Sequence, residues 1–202
     1  MRPRRSIPRS IPTLPALVLV LVPALGGCAS GGGAPSANDP GLANVRLGPD
    51  YSHWLLGPVA RMASPDEIAA FRALEDDYAA IAFVEAFWER RDPDPGTPRN
   101  EARLAFERRI READRRYGEA GVLGRRTPRG TIHVLYGAPE SIDHEIPLEG
   151  GEPIEVWRYP EDAPPGLDGR PPAPVYRFRK EGDLTVPYQP GGRRTTLPPA
   201  AS

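Results

Sequence analysis

The chain is predicted to adopt an α+β fold, with about three helices followed by a small antiparallel β-sheet in a single domain. Three observations carry this. Apolar residues recur at helical spacing between Ser64 and Tyr117, and the spacing changes to two after Thr131. The joins between the later segments, Gly137-Ala138-Pro139, Gly150-Gly151 and the Pro-rich stretch 160–174, hold no helical crossover, so neighbouring strands must run antiparallel. The 202 residues are 39% hydrophobic, enough to close one core and too few for a multidomain enzyme.

The helices follow from capping chemistry. Ser64-Pro65-Asp66-Glu67 places Ser at an N-cap, Pro at the first helical position and Glu where it closes a capping box, with Ile68, Phe71 and Leu74 behind it. A second start falls at Asp76 or Asp77, and Ile81, Val84, Phe87 and Trp88 form its apolar face. Asp92-Pro93-Asp94-Pro95-Gly96 must stop the helix, because two prolines and a glycine cannot continue the ladder. Thr97-Pro98 restarts it, and a third helix is expected to reach Tyr117 with Gly118 beyond its end. Phe106, Ile110, Ala113 and Tyr117 share its buried face. Its other side is expected to be solvated and laced by the pairs Glu107–Arg111 and Glu112–Arg116. Strands are expected over Thr131–Tyr136, Ile154–Tyr159 and Val175–Lys180.

Charge and cysteine usage exclude several function classes. With 26 basic against 27 acidic side chains there is no positive excess for a nucleic-acid binder. One cysteine rules out an internal disulfide and a Cys-based zinc site. His53, His133 and His144 lack metal-ligand spacing, and no phosphate loop or G-x-S-x-G occurs, so neither metal nor cofactor is expected. His133 reads as a residue on a sheet face.

The N-terminus predicts export. Arg2, Arg4, Arg5 and Arg9 precede an apolar run from Ile11 to Leu25, which is too short for a roughly 30 Å hydrocarbon core and is interrupted by prolines. Leu25-Gly26-Gly27-Cys28 resembles the bacterial lipobox. That resemblance implies removal of residues 1–27 as a signal peptide and acylation of Cys28, with diacylglycerol on the thiol and usually a fatty acid such as palmitate on the new amine. The protein would then be a membrane-anchored lipoprotein of the cell envelope. Ala29 implies sorting to the periplasmic face of an outer membrane, where the host has one. Residues 28–50 are expected to form the lipidated Cys and a flexible tether, 51–189 the folded domain and 190–202 a disordered tail.

The centre of the chain adds a second resemblance. Trp54-Leu55, the run Phe83 to Glu101, the stretch Gly124 to Pro139 and Glu155-Val156-Trp157-Arg158-Tyr159 together are similar to the GWxTD domain family. The likeness spans Tyr51 to Tyr159. Where that family has its naming motif, Arg125 stands in place of the tryptophan and Pro128 in place of the aspartate, while Thr127, Arg129 and Gly130 are kept. The resemblance implies an exported bacterial protein and a fold. It implies no reaction.

The candidate functional residues are polar side chains in these segments: Arg91, Asp92, Asn100, Glu101, Arg129 and His144. A catalytic reading pairs Asp92 with Glu101 as acid and base, or uses His144 between Asp143 and Glu145. A structural reading has Asp92 and Asn100 accept the free N–H groups at the helix restart, with an arginine paired to a carboxylate. Strand neighbours point to opposite faces, so Asp143, His144 and Glu145 cannot all converge. The expected function is an anchored, non-catalytic protein-interaction or structural module with a protein partner in the envelope. An envelope hydrolase using Asp92, Glu101 or His144 is the alternative.

Overall fold

A computed structural model describes residues 39–147 and 150–190. The leader, Cys28 and the tail after Pro190 lie outside that range. Helices come first and a four-stranded antiparallel sheet second, as the spacing predicts. After a short helix α1 (Val59–Met62), α2 (Pro65–Arg72) opens on a complete capping box between Ser64 and Glu67. Helix α3 (Asp77–Glu89) is capped by Asp76, whose side chain accepts the Ala79 N–H. Helix α4 (Glu101–Tyr117) begins at the Asn100 cap, three residues later than Thr97-Pro98 suggests. Its buried residues are Ile110, Ala113 and Tyr117, with Phe106 partly covered.

Two expectations are overturned. Residues 131–136 are not a strand: they belong to helix α5 (Pro128–Tyr136). Thr131, Ile132, His133, Val134 and Leu135 are all buried, so the polar residues Thr131 and His133, which alternate with Ile132, Val134 and Tyr136 as in a strand, mark no solvent face. Its boundary signals are present nonetheless. Thr127 caps it, Pro128 occupies the first turn and Gly137, at φ 84°, ends it. The tether also ends earlier than expected. Leu42 and Leu47 are buried in the core, and Asn44 donates to the carbonyls of Phe71 and Leu74, so 42–47 is packed chain. Three side chains with specific partners outweigh the small residues around them.

The sheet comprises β1 (Ser141–Glu145), β2 (Ile154–Arg158), β3 (Val175–Glu181) and β4 (Leu184–Pro187), in that spatial order. Strands β2 and β3 stand where the alternation places them, whereas β1 and β4 are additional. Trp157 lies across from Ile142 and Tyr176, on the face that packs against the helices through Tyr117 and Phe178. Val156 points the other way and is fully buried beside Asp143 and Arg177, where Arg158 bonds Asp143 and Arg177 bonds Glu145.

Helix α5 joins two apolar clusters. Leu135 packs with Leu55, Phe71, Phe87 and Trp88, while Ile132 and Val134 pack with Tyr117, Trp157 and Phe178. Trp88 and Trp157 are therefore core residues. Trp54 is partly buried, its ring set against Phe71, Phe83 and Phe87 at centroid distances of 5.0, 6.0 and 4.9 Å.

Candidate functional site

The helix stop and restart is held chiefly by Asn100. Its Oδ1 accepts the Arg103 N–H at 2.9 Å, capping α4, and its Nδ2 donates to the Trp88 carbonyl at 2.6 Å, closing the end of α3. One side chain thereby satisfies free groups on both helices. Asp92 does not share this task. Its Oδ1 accepts only the Asp94 N–H, and Asp94 in turn accepts the Gly96 N–H, so the Asp92 side chain holds a local turn and touches no group of α4. Glu101 accepts from the Thr97 hydroxyl at 3.0 Å.

Arg91 ties α3 to the start of α2. It donates to both Glu67 carboxylate oxygens and to the carbonyls of Met62 and Phe87, and its guanidinium lies 3.6 Å above the Phe87 ring centroid. Arg90 adds a second contact to Glu67 at 2.9 Å. Hydrogen bonding from Arg91, against the cost of burial, holds the Glu67 carboxyl down at about 2.

The motif segment is a close backbone crossing that starts a helix. It leads into α5, which stands where the sequence predicts the strand Thr131–Tyr136. A Cβ on Gly124 would sit 1.9 Å from the Ala113 carbonyl oxygen, and one on Gly130 would sit 1.7 Å from the Gly124 carbonyl oxygen. Thr127 Oγ1 donates to the Gly124 carbonyl at 2.8 Å and accepts the Gly130 N–H at 3.1 Å. Pro128 follows where a missing N–H costs nothing. Arg125 is fastened to Asp114 through its backbone N–H and its guanidinium. Burial of Asp114 opposes ionisation, but the Arg125 bonds prevail and hold its carboxyl below the usual value.

Arg129 joins two carboxylates, Glu119 at 3.0 Å and Glu155 at 2.9 Å. Glu119 is 8% exposed and also accepts the backbone N–H and hydroxyl of Thr185, both at 2.8 Å, which covers the β4 edge of the sheet. Glu155 accepts the Trp157 indole N–H at 2.6 Å. His144 is exposed on β1, across the ladder from Glu155, while Asp143 and Glu145 turn to arginines on the opposite face. The six candidates thus fall into two groups. Arg91, Asp92, Asn100 and Glu101 surround the α3–α4 junction, and Arg129 and His144 flank Glu155. Glu119 and Glu155 were missed because a turn glutamate and a strand glutamate carry no local signal of burial.

The remaining polar face of α4 departs from its expected pairing. Glu107 bonds Arg103 at 3.2 Å, and Glu112 lies 3.1 Å from His133 Nε2. Helix α5 brings His133 to Glu112, a partner 21 residues away that sequence spacing cannot reveal. His133 is 1% exposed, and burial pushes its pKa below 6.5 despite the carboxylate beside it. Its Nδ1 has no hydrogen-bond partner among the described residues. Arg111 is left exposed beside a groove of about 430 Å³ between residues 49–59, α4 and the 125–126 turn.

Among the described residues no group of three or more His, Cys, Asp or Glu could hold a metal ion, and no helix is long and apolar enough to cross a membrane. In comparison with known proteins, no family model matches this chain, and no curated protein and no solved structure matches it.

Proposed function

We propose that this is a lipid-anchored protein of the bacterial cell envelope whose α+β domain serves as a protein-interaction module, with its fold akin to the GWxTD domain. The observation that carries the interaction reading is how the polar residues of the family-like segments are occupied. Asn100 closes one helix and caps the next, Arg91 is bound on four sides, Thr127 caps α5, and Arg129 neutralises two carboxylates. These side chains hold a frame, and the surface of that frame is what a partner meets. The basic head, short apolar run and Leu25-Gly26-Gly27-Cys28 support the anchor. Two or three acyl chains on Cys28 bury far more methylene than the single chain that binds only marginally, which makes attachment lasting.

Mass spectrometry of the membrane form tests the anchor: the expected species begins at Cys28 and carries acyl mass, and a soluble chain retaining Arg2 would refute it. Fractionation is expected to place the protein with the outer membrane of a host that has one. Crosslinking in intact cells is expected to return a discrete protein partner. Hydrolysis of ester, glycan or peptide substrates that disappears in Glu101→Gln, with the melting curve unchanged, would instead favour a hydrolase.

A further inference from the structure

The two edges of the sheet are finished differently. At β4 the Thr185 N–H and hydroxyl are both taken by Glu119. Strand β1 forms the other edge and pairs with β2 alone, so its outer N–H and C=O groups face no strand among the described residues. Ile142, Asp143 and His144 at its centre are exposed, so no described element overhangs it. The charges that would deter a neighbouring strand are balanced from within the sheet. Asp143 accepts from Arg158 at 3.2 Å, and Glu145 accepts from Arg177 at 3.2 Å with Arg158 3.6 Å away. On the other face His144 stands across from Glu155, which is bonded to Arg129. The order of residues then favours one neighbour. Ile142-Asp143-His144-Glu145-Ile146 has the same sequence of chemical types read in either direction, centred on His144. Its two ends are apolar and open, Ile142 at 49% exposed and Ile146 at 78%.

We propose that β1 is a self-pairing edge through which two copies of this chain join, antiparallel, about a two-fold axis at His144. Each Ile142 then lies opposite the second copy's Ile146 on the face that carries Trp157. Each Asp143 lies opposite the second copy's Glu145 on the face where Arg158 and Arg177 balance them. The symmetry of the segment gives both apolar ends an apolar counterpart, and a two-fold contact closes on itself. Pro139 and Pro147 flank the segment and lack the N–H needed to extend the pairing. Five paired residues bury less than the roughly 1,200 Å² of a stable interface, so the contact is weak in dilute solution. Copies anchored in one membrane meet at far higher effective concentration, where such a contact forms. The proposal rests on the interaction reading above and names the partner as a second copy.

The test expresses the full chain in cells with His144→Cys, oxidises it with copper phenanthroline and reads disulfide-linked peptides by mass spectrometry. Opposed residues of antiparallel strands lie about 4.5–5.5 Å apart at Cα, within reach of a disulfide. A peptide joining position 144 to position 144 is expected. Ile142→Cys alone is expected to give no such self-link, since the second copy's position 142 lies four residues along the strand, about 13 Å away. Ile142→Cys and Ile146→Cys chains expressed together are expected to yield the 142–146 peptide. Ile146→Lys added to His144→Cys is expected to cut the 144–144 yield about five- to tenfold, the scale of two lost cross-strand pairs. Wild-type Cys28 is the only cysteine, and reading peptides rather than a dimer band keeps its state out of the result. No 144–144 peptide, an equal self-link from Ile142→Cys, or indifference to Ile146→Lys would each overturn the proposal. If the 144–144 peptide is absent while crosslinking of the wild type returns a different protein, self-pairing falls and the interaction reading stands. If neither is found, both fall.

Discussion

Replacing Glu67 with Gln isolates the ion pair that binds the start of α2 to the end of α3. The carboxylate sits between Arg91 and Arg90 and is 15% exposed, and its pKa falls from 4.5 to about 2 on folding. At roughly 1.4 kcal/mol per unit that shift is worth at most about 3.5 kcal/mol, and solvent screening around the half-exposed Arg90 brings the expected value to about 1–3 kcal/mol. The folded state holds the proton more weakly than the unfolded state. The contribution is therefore complete above pH 4.5 and is lost as pH falls towards 2. Gln retains a capping-box acceptor for the Ser64 N–H, so the substitution removes charge more than it removes the cap. Urea titrations of both proteins at a series of pH values give the difference directly. The wild type is expected to lead at pH 7 and the gap to shrink steadily below pH 4.5. A gap that keeps its size down to pH 2, or none at pH 7, would refute the electrostatic account and leave Arg91 as a packing residue over Phe87.

Asn100→Ala should destabilise the chain by about 2 kcal/mol, since it removes a helix cap and a bond to the Trp88 carbonyl, whereas Asp92→Ala should cost less than about 1 kcal/mol because only a local turn is lost; melting curves of the two variants check the order. Rebuilding the family motif with Arg125→Trp and Pro128→Asp should change stability by no more than about 2 kcal/mol and confer no hydrolysis. An aspartate suits the first turn of α5 while the bond from Arg125 to Asp114 is lost, and an active rebuilt variant would mark a decayed enzyme. Gly130→Ala should unfold the protein or cost more than about 3 kcal/mol, because its Cβ would collide with backbone at 1.7 Å, and circular dichroism reads this out. Stability should also decline as pH drops below 6.5, where the unfolded state takes up a proton that buried His133 resists. Glu112 opposes this from α4, while Arg109 and Arg116 on the same helix reinforce it, and His133→Gln should flatten the slope.

Local chemistry alone determined a large part of this molecule. Ser64 with Glu67, Asp76 and Asn100 announce three helices because a cap acts within four residues, and the Pro and Gly between Asp92 and Gly96 stop a helix whatever surrounds it. Strands β2 and β3 were legible because each alternates against a face that differs from the other. The candidate residues Asn100, Arg91 and Arg129 were also visible, as polar side chains in unusual company. Tertiary structure decided the rest. Residues 131–136 lie in a helix whose polar members Thr131 and His133 are buried with the apolar ones, so the alternation of β-branched and polar residues suggests a strand that the fold does not form. Residues 42–47 pack because Asn44 finds carbonyls 27 and 30 positions away. Arg91 reaches Glu67 across 24 residues, Glu119 reaches Thr185 across 66, and Glu112 turns from its own helix to His133. Charge pairing depends on which side chains the fold brings within about 3 Å, and sequence spacing supplies that distance only along a single helix or strand.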